Sequence, residues 1–277
     1  MHRFFVAPEL LIPHATPQGE GKPGGLPAPQ AGHLAREASI PRSYSISLPK
    51  EIAHQARDVL HLAIGEQLLL LDNTGDEVLA IVTQSNRAGV DVQLLERRAG
   101  KEEPPVRIIL CQGLLKSARF EWVLERGTEL GVAVFAPILC RRCMASLEDA
   151  GPAKIQRWQR IIQEAAEQSG RSHLPRLLPI RPLMHALNDI PPGAIAIMPW
   201  EEEQQRSLRE ALTAVKDTAR SPITVVLFIG PEGGLMAEEV TLAQRHGVQV
   251  VTLGPRILRA ETAALATVAN VMYELLS

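Results

Sequence analysis

The rhythm of hydrophobic and polar positions changes once along this chain, near residue 100. Before that point, short and largely aliphatic runs at 44–48, 67–71, 78–83 and 90–95 alternate with turn formers. Asn73-Thr74-Gly75-Asp76 and Arg87-Ala88-Gly89 supply the reversals, which is the pattern of strands joined by tight turns. A short helix is expected over 49–61, and Phe4, Phe5 and Val6 read as an opening strand. Several short strands at this spacing predict a small barrel or closed meander, with its first strand drawn from residues 3–6. The stretch 13–42 breaks the pattern. It holds six prolines and five glycines with few large apolar side chains, above the share of roughly 25–30% that marks low-complexity sequence. It is read as a flexible, disorder-prone insertion.

A charged, proline-bearing linker at 100–105 separates this region from a different pattern, so that domains of 1–100 and 101–277 are expected. Beyond the linker, apolar runs alternate with helical periodicity, the mark of an α/β domain with a mainly parallel sheet. Strands are expected at 106–111, 132–138, 194–198, 224–229 and 248–253. Helix 117–130 places Phe120, Val123 and Leu124 on one face and ends at Gly131. Helix 154–169 does the same with Trp158, Ile161, Ile162 and Ala165, which makes Trp158 a core or interface residue before it is a platform for stacking a base.

Composition changes this picture little. The 277 residues are 45% hydrophobic and 22% charged, with a net charge of −2, which fits an ordinary soluble protein of two domains. No apolar run approaches the roughly 20 residues of a membrane span, and the N-terminus lacks a signal-peptide core, so a cytoplasmic location is expected. Local clusters of Arg and Lys can still bind phosphates on a chain that is acidic overall. Three cysteines argue against a disulfide framework, and Cys140 and Cys143 form a lone C-x-x-C without the further ligands a zinc site needs. Plain thiols at a strand end fit better than a redox pair. His2, His54, His173 and His185 are scattered without metal spacing, and no metal is expected.

The chemistry concentrates near the C-terminus. Ile229-Gly230-Pro231-Glu232-Gly233-Gly234 and Leu253-Gly254-Pro255-Arg256-Ile257-Leu258-Arg259-Ala260-Glu261-Thr262-Ala263 each follow an apolar run and precede a helical pattern. Glycines at strand ends let a ligand approach the backbone and its free N–H groups. Two such loops on adjacent strands predict one pocket, in the crevice where open α/β sheets bind nucleotide-like molecules. Neither the P-loop nor the G-x-G-x-x-G pattern is present, nor the nucleophile elbow or the zinc-deaminase signature.

Both loops, in this order and spacing, resemble those of the RsmE-type ribosomal RNA methyltransferases of the SPOUT class. The resemblance extends to Met1-His2-Arg3-Phe4-Phe5, to His54 through Leu60, and to Lys116, Arg119 and Glu121 followed by Thr128-Glu129-Leu130-Gly131-Val132. It continues through Arg157-Trp158, Glu164-Ala165-Ala166-Glu167-Gln168-Ser169, Arg171 and Pro175. It covers nearly all of the chain except 13–42. His61 departs from it, standing where the family carries arginine.

The resemblance implies a trefoil-knotted catalytic domain, a small PUA-like barrel and pairing as a homodimer. It implies S-adenosylmethionine as methyl donor and N3 of a uridine in small-subunit ribosomal RNA as acceptor. By the same resemblance Pro199, Ile229, Gly230, Gly233, Leu253, Gly254, Ile257, Leu258, Thr262 and Ala263 hold the donor, and Arg3, Arg57, Lys116, Arg119 and Arg171 are candidate phosphate contacts, with solvated surface charge as the competing reading for each. Uridine N3 becomes nucleophilic as its proton leaves, so a carboxylate or water could accept that proton and a cation would favour the anion. Glu232 and Glu261 are the carboxylates beside the pocket and Arg259 is the cation. The sequence does not choose the base, and a helix-terminal acid or a structural ion pair are the plain alternatives for Glu261 and Arg259. Competing functions are a SPOUT enzyme acting on a ribose 2′-hydroxyl, a non-catalytic RNA-binding assembly factor, and a metabolic enzyme with a nucleotide-like ligand.

Overall fold

A computed structural model describes residues 1–11, 44–143, 151–216 and 222–276. The chain divides into two compact units, Met1–Lys101 and Glu102–Ser277. The proline- and glycine-rich stretch 13–42 lies outside the described residues.

The first unit contains β1 (His2–Phe5), β2 (Ser45–Ser47), α1 (Lys50–His54), β3 (Gln67–Leu71), β4 (Asp76–Asn86) and β5 (Gly89–Ala99). Its sheet runs β1-β3-β4-β5-β2, parallel between β1 and β3 and antiparallel elsewhere. Strand periodicity explains the core: Val78, Ala80 and Val82 of β4 and Val90, Val92 and Leu94 of β5 point inward at every second position. Irregular register between Leu79 and Ala80, and again between Val82 and Gln84, bends the long hairpin. Phe4 of β1 and Ile46 of β2, at opposite ends of the sheet, therefore reach the same hydrophobic cluster. Among the described residues the two end strands do not pair, so the expected closed meander is a curled sheet with two edges. The helix expected over 49–61 is also shorter. After His54 the chain widens into a π turn at Gln55–Val59, closed by the Leu60 N–H donating to the Gln55 carbonyl at 2.9 Å.

The second unit contains β6 (Val106–Gly113), α2 (Ser117–Glu129), β7 (Val132–Leu139), α3 (Pro152–Ser169), β8 (Arg176–Leu177), β9 (Arg181–Pro182) and α4 (Leu183–Asn188). These are followed by β10 (Ile195–Pro199), α5 (Leu208–Lys216), β11 (Ile223–Ile229), α6 (Ala237–Arg245), β12 (Gln249–Val251) and α7 (Ala260–Leu276). The sheet is parallel throughout, in the order β12-β10-β11-β6-β7-β8, with β9 also on β7. Continuous apolar strands belong in such a sheet because both faces are covered: Val225 through Ile229 of β11 are all buried. One face packs Phe120, Val123 and Leu124 of α2, Trp158 and Ile162 of α3, Leu212 of α5 and Val268 of α7. The other packs Leu187 of α4 and Val240 and Ala243 of α6. Trp158 is 1% exposed and its ring lies 4.4 Å from that of Phe120, tilted by 38°, so it is a core residue.

The order of the last strands positions the site. β10 is hydrogen-bonded to both β11 and β12, with Ile197 opposite Leu227 and Pro199 opposite Val251. The two glycine–proline loops thus leave strands that are not adjacent, against the sequence expectation. The crossover through α6 steps over β10, and the end of β10 lies between the two loops.

Candidate functional site

Three strand ends converge on one cavity of about 390 Å³, within the size range of small-molecule sites. Pro199, Trp200 and Glu201 line it after β10, Ile229 through Leu235 after β11, and Thr252 through Glu261 with Ala263 after β12. Arg119 of α2 closes another side. All the residues expected to hold a donor line this cavity except Thr262, which is exposed on the first turn of α7. Trp200, Glu201 and Thr252 belong to the wall without having been singled out. The tripeptide after β10 was visible in the sequence, whereas nothing local marks Thr252.

The loop after β11 is held from behind. Gln112 is buried at the end of β6 and donates from Nε2 to the carbonyls of Gly113 (2.9 Å) and Gly230 (3.3 Å). A Cβ on Gly113 would lie 2.6 Å from the Pro231 nitrogen, so only glycine lets β6 approach this loop so closely. The C-x-x-C turn abuts it from another side. The Arg142 guanidinium donates to the Gly233 carbonyl at 3.1 Å, and the Arg141 N–H donates to buried Glu239, whose other oxygen accepts the Met236 N–H at the start of α6. The two thiols interact there. Hydrogen bonding from Cys140 holds the Cys143 thiol down to about 7, while the same contact and burial push Cys140 upward. Burial pushes Cys111 up to about 12. Among the described residues no cluster of His, Cys, Asp or Glu could hold a metal.

The loop after β12 is anchored at its base. The Thr252 N–H donates to the Arg206 carbonyl at 2.8 Å, and its own carbonyl accepts the Leu208 N–H at 3.2 Å. Beyond this point Gly254 takes φ +112°, open to few residues other than glycine, and nothing lies within 4 Å of the place its Cβ would occupy. Residues 254–257 are exposed, Ile257 by 85%. The cleft therefore has a wall fixed by packing and a second wall free to adjust.

Charge is arranged at one corner. Arg119 Nη1 lies 2.8 Å from Glu232 Oε1 and Arg119 Nε lies 3.7 Å from Glu261 Oε1. The Lys116 N–H, at the N-cap of α2, also points to Glu232 Oε1 at 3.4 Å. Glu261 is 8% exposed, and its Oε2 is buried with no hydrogen-bond donor among the described residues. Arg259, just before α7, is exposed and among the described residues has no carboxylate within ion-pair distance. Glu232, Glu261 and Arg259 are thus brought together on one cavity, as their order in the sequence suggested, and Arg119 joins them.

The other expected phosphate contacts part company. Arg171 is only 10% exposed in its side chain. It forms a two-point ion pair with Glu103, at 2.9 and 2.8 Å, and donates to the carbonyls of Thr128 and Val132. Its donors fasten the start of the unit to the α2–β7 turn, a structural role in place of a solvent-facing one. Arg3, 13% exposed, pairs at 2.6 Å with buried Glu77. Arg57 pairs with Asp58 and donates to the Asn86 carbonyl. Lys116 remains exposed. Sequence alone gives each of these cations the same look, and only long-range partners separate them.

A cleft of this kind suits a flat, largely uncharged ring system gripped by backbone groups. A family model for an RNA methyltransferase domain matches residues 102–272. The chain is similar to the ribosomal RNA small subunit methyltransferase E of Bacillus subtilis (strain 168), 29% identical over 237 residues that cover 85% of this chain and 92% of the relative. It is 33% identical to the protein of the same name from Synechocystis over 228 residues, covering 82% of this chain and 72% of that one. Among solved structures it is similar to a ribosomal RNA small subunit methyltransferase E from Neisseria gonorrhoeae bound to S-adenosyl methionine, with a TM-score of 0.76, 27% identity, and coverage of 99% of this chain and 97% of the other.

Proposed function

The chain belongs to the ribosomal RNA small subunit methyltransferase E family, and on that premise we propose that it methylates small-subunit ribosomal RNA at N3 of a uridine, with S-adenosylmethionine as donor. The three-loop cleft carries this reading. Its volume, its backbone-rich walls and the open face of Gly254 fit an adenosine. Bound there, the donor supplies an electrophilic methyl carbon on a sulfonium. The residues of the chain have to hold that carbon in line with the attacking nitrogen, which makes positioning a large part of the catalysis. Arg259 is the cation suited to the developing uracil anion, and Glu232 and Glu261 are the candidate proton acceptors.

N3 is the centre of Watson–Crick pairing, so the target base must be unpaired and unstacked. The first unit, read as a PUA-like domain, holds flanking RNA, and Lys116, exposed at the N-cap of α2, and Arg119, on the cleft, are the cations best placed to meet phosphates. The remaining elements of the reading are a trefoil knot in the second unit, a homodimer and a cytoplasmic site of action. The decisive experiment incubates the protein with labelled donor and assembled small subunits and maps the modified atom. Methyl on a uridine N3 is the expected outcome. Label on a ribose oxygen would move the assignment to a 2′-hydroxyl enzyme, and donor binding without transfer would leave an assembly factor.

A further inference from the structure

The two carboxylates at the charged corner differ in what they have left to offer. Glu232 Oε1 accepts from the Arg119 guanidinium at 2.8 Å and faces the Lys116 N–H that begins α2. It caps a helix and closes an ion pair, so its charge is already matched. Glu261 meets Arg119 only at 3.7 Å and only through Oε1. Its Oε2 is buried and, among the described residues, has no donor. A buried carboxylate oxygen without a partner is costly unless a ligand brings an N–H to it.

Two ligand groups could bring that N–H, the ammonium of the donor and the imide of the base. The surroundings favour the imide. Arg119 contacts Glu261, Arg259 lies two residues before it, and Arg256 lines the same cavity. These cations offset the attraction of an ammonium to the Glu261 carboxylate, and the other acids of the cavity, Glu232 and Glu201, lie against Arg119 and Gly234. A uracil losing its N3 proton gains a negative charge, which the same cations and the N-terminus of α7 stabilise.

We propose that Glu261 is the catalytic residue that accepts the N3 proton, and that Arg119 is a positioning residue that ties Glu261 Oε1 to Glu232 and leaves Oε2 for the base. The inference rests on the uridine N3 reading above. In the step, the N3–H bond breaks and its proton passes to Glu261. The N3 lone pair forms a bond to the methyl carbon, the carbon–sulfur bond breaks with its electron pair going to sulfur, and Glu261 later returns the proton to water.

The test compares the wild-type protein with Glu261→Gln, Glu232→Gln, Arg119→Ala and Arg119→Lys, using small subunits reconstituted with uridine or with 5-fluorouridine, whose N3 proton is more acidic. Donor affinity is measured separately by calorimetry. Glu261→Gln is expected to lower kcat about 10²–10⁴-fold, the range of general-base catalysis, with donor affinity unchanged and much of the rate recovered on 5-fluorouridine. Arg119→Ala should show a smaller loss with the same recovery, and Arg119→Lys should restore part of it. Glu261→Asp keeps the charge at the helix terminus but withdraws the oxygen, and should lose and recover rate in the same way should the amide variant not fold. Full kcat in either Glu261 variant overturns the proposal. So does a loss that tracks donor affinity, a loss that 5-fluorouridine leaves untouched, or transfer of the whole effect to Glu232→Gln. A wild-type protein that binds donor but leaves N3 unmodified overturns the underlying reading instead.

Discussion

The two glycine–proline loops look alike in sequence and are opposites in the fold. The loop after β11 is backed by close neighbours at each of its glycines. Gly113 of β6, Leu235, Arg142 and Glu201 all stand where a Cβ on one of its residues, or on Gly113 facing it, would collide. The loop after β12 has no such neighbours at Gly254 and leaves Ile257 almost wholly in solvent. Space demands glycine at 230 and 233, space and a φ of +74° demand it at 234, and torsion alone demands it at 254. A cleft built in this way has a preformed wall that sets where the ligand lies and a compliant wall that can close over it, which limits the ordering cost of binding to a few residues.

Crowding the packed wall should have the largest effect. Gly113→Ala forces the Pro231 backbone aside, and overpacking of this kind costs about 1–3 kcal/mol. In a unit of this size that lowers Tm by several degrees, at roughly 2–4 °C per kcal/mol, and donor affinity should fall with it. An unchanged melting curve would show that the wall is not rigid. Gly254→Ala comes next. It meets no atom, but its torsion is strained by about 1–3 kcal/mol, and an exposed loop can relax part of that strain. The expectation is a shift in Tm of no more than a few degrees with a weakened donor, seen by calorimetry. A stability loss equal to that of Gly113→Ala would erase the distinction between the walls. The smallest effect is expected from Ile257→Ala. A side chain that is 85% exposed contributes almost nothing to folding, so Tm should not move. A modest loss of donor affinity, on the order of the 1.5–3 kcal/mol available from burying such a side chain, would show that this wall closes on the ligand. No change in affinity would leave it open in the bound state.

Much of this molecule could be read from local pattern. Helices α2 and α3 follow from apolar spacing at 3.6 residues per turn, and their expected faces are the buried ones. The parallel sheet follows from strands apolar on both sides, and the glycine loops announced a site. The two-residue strands β8 and β9 carry no periodicity of their own and exist only through pairing with β7. Helix α4 is short and has no side-chain cap, whereas α5 opens on a capping box in which Ser207 and Glu210 each accept the other's N–H, a start signal carried by Ser207-Leu208-Arg209-Glu210.

What the amino-acid order determined by itself was therefore everything governed by neighbours within a turn or two: helix faces, strand character, the glycines that free a backbone, and the acids and arginine that open α7. What the tertiary structure alone decided was spatial order and partnership. β10 comes between β11 and β12, so its terminal Pro199-Trp200-Glu201 becomes a wall of the cleft. Arg119 and Glu232 are separated by 113 residues yet meet at 2.8 Å, while Arg171, with the same side chain as Arg119, is tied down by Glu103. A charge has no periodicity, and its role is fixed by which distant group the packed core sets beside it.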